Sequence, residues 1–224
     1  EGDYNPADYM PTSEKSVDMM YEELLTYIRG ISNEYLRRAV EYYFVNDEAF
    51  IKKFKGHSAA KTVHHGFAGG LLEHTLSVVH LCEYFAGAYD IINKDLLIAS
   101  AVCHDIGKTK ELSSFPDNDY TDEGQLIGHI VIGVEMLSDA IRTIPDFPEV
   151  LANEWKHCII AHHGELEFGS PKKPALAEAM ALNLADNADA KMQTLKEIFK
   201  DKKGTDWLGY NRLFESNLRR TSEV

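Results

Sequence analysis

The sequence predicts an all-α fold, a helical bundle with its chemistry in the core between helices. Apolar residues recur at three- and four-residue steps along most of the chain. Gly, Pro, Asn and Asp gather between those stretches rather than inside them. No segment shows the apolar/polar alternation of a convincing strand, and there is no repeat or low-complexity run.

Residues 1–16 carry Gly2, Pro6, Pro11 and several acids without periodicity, and read as a linker or tail ahead of one domain over 17–224. Helical spacing begins at Val17, where Met20, Leu24, Tyr27 and Ile28 share a face. A second helix follows through Tyr35, Leu36, Ala39 and Tyr43, with Ser32 or Asn33 as its cap. The next helices are expected over Leu71–Tyr89, Asp95–His104, Gln125–Ile144, Glu149–His162, Ala175–Lys200 and roughly Asp206–Arg219. In Gln125–Ile144, Ile127, Ile130, Val131, Val134, Leu137 and Ile141 share one face.

Composition narrows the function. With 224 residues, 44% of them hydrophobic, the chain can bury a core. No run approaches the ~18 apolar residues of a membrane span, and no signal peptide opens the chain. It starts at Glu1 rather than Met, which reads as a fragment or processed form. Cys82, Cys103 and Cys158 are odd in number and lie in apolar helical patterns, as buried free thiols of a reducing cytoplasm do. The net charge of −13 argues against binding nucleic acid through a broad basic surface. It does not argue against binding phosphate through metal ions, which bring their own positive charge.

The stretch CHDIGK ends an apolar run, DLLIASAV, with two adjacent metal-binding side chains, His104 and Asp105. Neighbours on an α-helix point ~100° apart. Both can therefore reach one ion only across the helix end, or with ligands from other helices. Gly107 would let the chain turn there. Other helices do offer such groups: His74 in LLEHT, His129 in LIGHI, His162 and His163 in AHHGE, and Asp186 in LADNAD. Each lies among apolar neighbours, where an unpartnered polar group costs several kcal/mol by order of magnitude. A shared metal site answers that cost for all of them. The donors exceed what one ion needs, so two ions bridged by a carboxylate fit better. Imidazole-rich ligation suits Mn, Fe, Co, Ni or Zn rather than Mg.

The order H…HD…H…HH…D resembles the HD-domain phosphohydrolase superfamily. The stretches GGLLEHT, HDIGKTKE, YTDEGQLIGHI, HHGELEFGSP, LADNADAKM and WLGYNRLF resemble its YhaM-type 3′–5′ exoribonucleases. The resemblance implies a first divalent ion on His74, His104, Asp105 and Asp186. Asp105 would bridge to a second on His129, His162 and His163, one of the His162–His163 pair alternatively touching substrate. It implies manganese first, with iron, cobalt, nickel or zinc as alternatives. Lys108 would reach a phosphate oxygen. The reaction implied is hydrolysis of single-stranded RNA from its 3′ end, releasing 5′-mononucleotides. Proteins of that group usually carry an N-terminal OB-type domain, absent from this chain, without which the acidic surface would hold RNA weakly.

Further residues are placed around that centre. His65 would line the pocket. In the Gly164–Pro174 loop, Ser170 and Lys172 would touch phosphate or sugar, and Phe168 could stack on a base. Gly128 would permit close helix packing. Asp189 reads as a supporting or surface carboxylate, and His57, His80 and His157 as packing or surface histidines. Two rival functions remain: a phosphohydrolase of nucleotides or cyclic nucleotides and dinucleotides, and a regulatory module without catalysis. The first lacks a glycine-tyrosine-proline signature after HD that would favour cyclic dinucleotides. The second requires a lost ligand, and every ligand position is intact.

Overall fold

A computed structural model describes residues 16–61, 66–114, 117–200, 202 and 204–222. His65 and almost all of the expected tail lie outside the described residues. The fold is all-α: α1 (Val17–Arg29), α2 (Glu34–Phe44), α3 (Glu48–Gly56), α4 (Gly70–Ala88), α5 (Lys94–Cys103), α6 (Lys108–Glu111), α7 (Asp122–Leu126), α8 (His129–Arg142), α9 (Glu149–Ala161) and α10 (Ala177–Phe199). A ribbon of β1 (Tyr210–Asn211) and β2 (Ser216–Asn217) follows.

Short polar side chains start many of the helices. Ser16, Asn33, Asp47, Asn93 and Thr121 each accept a hydrogen bond from a first-turn N–H. Asn33, not Ser32, caps α2. At the centre, α5 packs against α4, α10, α9 and α2. Leu96 through Cys103 are buried without interruption, so α5 is apolar on every side. Two half-buried bonds fix its start: Asp95 accepts the Asn33 N–H at 2.7 Å, and Glu178 accepts the Asn93 N–H at 2.6 Å. The second bond sets the N-termini of α5 and α10 side by side. About two turns further along α10, Asp186 then comes level with the far end of α5. The three cysteines are free and buried. Among the described residues no helix is long and apolar enough to cross a membrane.

Several expectations are corrected. The helix expected over Asp206–Arg219 is extended chain and a hairpin instead. Gly204, Gly209 and Glu215 take positive φ (86°, 91° and 47°), and the Asn211 side chain accepts the N–H groups of Leu213 and Phe214 to hold a turn. The helix expected over Gln125–Ile144 is two helices, broken at Gly128, whose φ of 79° and ψ of 152° no helix contains. Nothing lies within 4 Å of a Cβ placed there, so Gly128 serves backbone geometry and not close packing. On α8 the buried face is Ile130, Ile132, Gly133, Met136, Leu137 and Ala140, whereas Ile127 and Val131 are exposed. Finally, α3 adds an unexpected helix, of whose nine residues only Phe50 and Phe54 are buried, with Ile51 packed beside them.

Candidate metal centre

Helix ends deliver most of the polar groups. His104 and His162 stand at the C-terminal caps of α5 and α9, and His129 opens α8. His74 lies in the opening turns of α4, which starts from Gly69 at φ 84°. Asp186 projects from the middle of α10. Asp105 follows His104 in a turn between α5 and α6. Gly107 in that turn has an ordinary φ of −61°, so turning is not what it supplies. A Cβ there would lie 2.0 Å from the His129 carbonyl and 2.8 Å from the Gly133 nitrogen. Gly107 lets the HD turn touch the backbone of α8.

Two clusters form about Asp105. His74, His104 and Asp186 bring their ligand atoms together in one, and His129, His162 and His163 in the other. Asp105 Oδ2 faces the first, 3.4 Å from His74 Nε2 and 3.3 Å from His104 Nε2. Its Oδ1 faces the second, 3.6 Å from His129 Nε2 and 3.8 Å from His162 Nε2. Asp186 Oδ1 stands 3.1 Å from His74 Nε2. The Lys108 ammonium lies 2.7 Å from Asp105 Oδ2, beside the first cluster.

All five histidines are held the same way. His74 gives its Nδ1 to Asp189 at 2.7 Å, and His129 gives its own to Glu111 at 3.0 Å. His104, His162 and His163 give theirs to the carbonyls of Ala101, Ile159 and Phe168, at 2.8, 2.6 and 2.7 Å. Acceptors at every Nδ1 fix the proton there and leave each Nε2 lone pair for the clusters, the pattern of metal-ligating histidine.

The fit to a metal rests on three atoms. Asp105 Oδ1, His129 Nε2 and His162 Nε2 are buried and have no hydrogen-bond partner. Unpaired polar atoms at that depth are costly, and these three face one another. A cation among them satisfies all three at once. Burial, then the neighbouring His163 and His104, holds the pKa of His162 well below the ordinary histidine value, so it stays a neutral donor. Burial would lower His74 too, but hydrogen bonds to Asp105, Asp186 and Asp189 outweigh it and raise its pKa well above the usual value. That pocket calls for positive charge.

The sequence expectations meet this geometry unevenly. His74, His104, Asp105, His129, His162, His163, Asp186 and Lys108 come together. Asp189 is the supporting carboxylate of His74. Glu111 was missed: it lies in HDIGKTKE, yet its spacing from His129 gives no sign that it accepts both the backbone N–H and the ring of that residue. Beside His163 and Asp186 opens a cleft of about 580 Å³. Phe168 lines it, but Ser170 and Lys172 do not. Ser170 is turned into the protein, its hydroxyl buried and unpartnered, and Lys172 is exposed. The loop bends at Gly169, φ 89°, between Phe168 and Ser170. His57 packs between the carbonyls of Ser58 and Leu112, His80 meets Glu23 at the surface, and His157 accepts the Ala175 N–H.

Fold and site together define a helical domain with a candidate metal centre, and comparison with known families agrees. The model of the HD domain family matches residues 71–191, more than half of the chain, and the chain belongs to that family. Its similarity is more particular than that. It is 38% identical over 192 residues to the 3′-5′ exoribonuclease YhaM of Bacillus subtilis (strain 168), covering 85% of this chain and 60% of that protein. It is 36% identical to the proteins of the same name from Geobacillus sp. (strain WCH70) and Listeria innocua serovar 6a, covering 87% and 88% of this chain and 59% and 62% of theirs. The chain thus spans about three fifths of the length of the curated relatives it matches. No solved structure gives a significant match.

Proposed function

We propose that residues 17–224 form a metal-dependent phosphodiesterase domain that hydrolyses single-stranded RNA from its 3′ end. The observation that carries this is the arrangement about Asp105. One carboxylate turns its two oxygens to two clusters, and all five histidines around it present Nε2. In this reading His74, His104, Asp105 and Asp186 hold one divalent ion, and Asp105, His129, His162 and His163 hold another. Manganese is the first candidate by the resemblance to the exoribonucleases, and the mixed imidazole and carboxylate donors also suit iron, cobalt, nickel or zinc. Such a pair of ions supplies Lewis acidity for phosphate and a nucleophile from water at neutral pH.

The chain's own residues do the rest. Asp105 sets the spacing of the two clusters, and the five Nδ1 bonds keep the imidazoles from rotating away. Lys108 is assigned to a non-bridging oxygen of the scissile phosphate, since its ammonium already stands at the edge of the first cluster. Burial of His104 and His162 keeps bulk water from competing. The direction of digestion and the RNA substrate follow from the similarity to exoribonucleases, not from the cleft alone.

The deciding experiment is a time course on a 5′-labelled single-stranded RNA oligomer, with and without Mn²⁺. A metal-dependent descending ladder is expected. Internal fragments would overturn the exonuclease reading. Cleavage confined to nucleotide esters would move the substrate to small phosphodiesters.

A further inference from the structure

We propose that the cleft beside His163 and Asp186 is a nucleobase subsite, in which Phe168 stacks on the base of the nucleotide being removed. The proposal deepens the phosphodiesterase reading and rests on it.

The lining of the cleft argues for a neutral, flat ligand. His163 and Asp186, both members of the metal clusters, line it, so whatever fills it lies beside the group at the metals. Its charged walls are Glu165 and Asp186, and no Lys or Arg lines it. Glu165 is already paired with Lys173, and Asp186 belongs to the first metal cluster, so the cleft walls offer no unpaired cation to a further phosphate, and a neutral base suits them. Phe168 and Met180 offer apolar faces to the cleft at 64% and 46% exposure, accessible to a flat ligand. The side-chain amide of Asn187, also in the lining and exposed, supplies a donor and an acceptor for a base edge. The volume of about 580 Å³ is in the range of small-molecule sites. Aromatic stacking with adaptable amide contacts favours a base without selecting among the four.

The backbone of Phe168 has a separate duty. Its carbonyl accepts the Nδ1–H of His163 at 2.7 Å. Removing the ring therefore leaves the support of that histidine in place, and the two functions can be tested apart.

The test is a calorimetric titration of the Mn²⁺-loaded protein with adenosine 5′-monophosphate, uridine 5′-monophosphate and ribose 5-phosphate. Both nucleotides should bind roughly tenfold or more tightly than the sugar phosphate, as expected for one stacked base. Phe168→Ala should erase that preference while keeping metal content and ribose 5-phosphate affinity, and Phe168→Trp should restore it. Equal or undetectable binding of nucleotides and sugar phosphate by the wild type would overturn the subsite, as would a preference that survives in Phe168→Ala. Failure of the phosphodiesterase reading shows itself differently. The wild type would then prefer nucleotides over ribose 5-phosphate yet hydrolyse no phosphodiester.

Discussion

Glu111 holds His129 at two points. One carboxylate oxygen accepts the backbone N–H of His129 and meets its ring Nδ1, both at 3.0 Å. The residue that opens α8 is thereby fixed in position and in ring orientation by a side chain from α6. Asp189 does the second of those jobs for His74 from α10. The two clusters each depend on a carboxylate that is not itself a member.

Glu111→Ala should therefore weaken metal at the His129 cluster and spare the His74 cluster. Loss of such a supporting partner costs about 10–100-fold in metal affinity. Metal titration should resolve two classes of site in the wild type and show only one of them shifted in the variant. Glu111→Gln keeps an acceptor oxygen and should retain most of the affinity. Equal weakening of both sites would break the assignment.

Asp105 couples the clusters, so its removal should act on both. Asp105→Ala is expected to lose both ions and all metal-dependent hydrolysis while circular dichroism stays helical. His129→Ala should lose only one ion per chain. The variants differ because Asp105 faces His74 and His129 at once, at 3.4 and 3.6 Å. Retention of one tightly bound ion in Asp105→Ala would show that it does not bridge.

Much of this centre was legible in the sequence, for a physical reason. A histidine or carboxylate inside an apolar helical pattern must find a partner, and several such residues imply a shared one. His74, His104, Asp105, His129, His162 and Asp186 all stand in such apolar surroundings in the sequence. That argument could not locate Glu111, which is buried but follows Lys108, Thr109 and Lys110 in a four-residue helix with no apolar pattern to mark it. Nor could it show that Gly107 is required for contact with α8, because close approach between distant segments leaves no local signal. The C-terminal segment misled for the opposite reason. Trp207, Leu208, Leu213 and Phe214 approximate helical spacing, but Gly204, Gly209 and the Asn211 turn decide the backbone, and Trp207 and Leu213 stay exposed.

Metal should also stabilise the fold. The orphaned atoms of Asp105, His129 and His162 are buried in the folded chain and free to meet water in the unfolded one. A ligand that binds only the folded state at a hundred times its dissociation constant adds about 2.7 kcal/mol. For a domain of this size that is a rise of roughly 5–10 °C in melting temperature. Melting in excess EDTA and in graded Mn²⁺ should show that rise, growing with the logarithm of metal concentration. A melting temperature indifferent to both would mean that the clusters do not take up the ion.

Gly107→Ala tests whether the HD turn depends on its contact with α8. Alanine suits the backbone angle, since φ is −61°, and by intrinsic preference it should stabilise a helical turn. The added methyl would, however, stand 2.0 Å from the carbonyl of His129. No flexible side chain can yield there, because the opposing atoms are backbone. The turn and α8 must separate, which carries Asp105 away from His129. Overpacking of this kind costs about 1–3 kcal/mol. The expected result is a lower melting temperature together with weaker metal binding at the His129 cluster. Saturating Mn²⁺ should recover only part of the loss, because the clash lies in the backbone contact and not in the ligands. An alanine variant as stable as the wild type, with both metal affinities intact, would show that the turn and α8 can part without disturbing the centre.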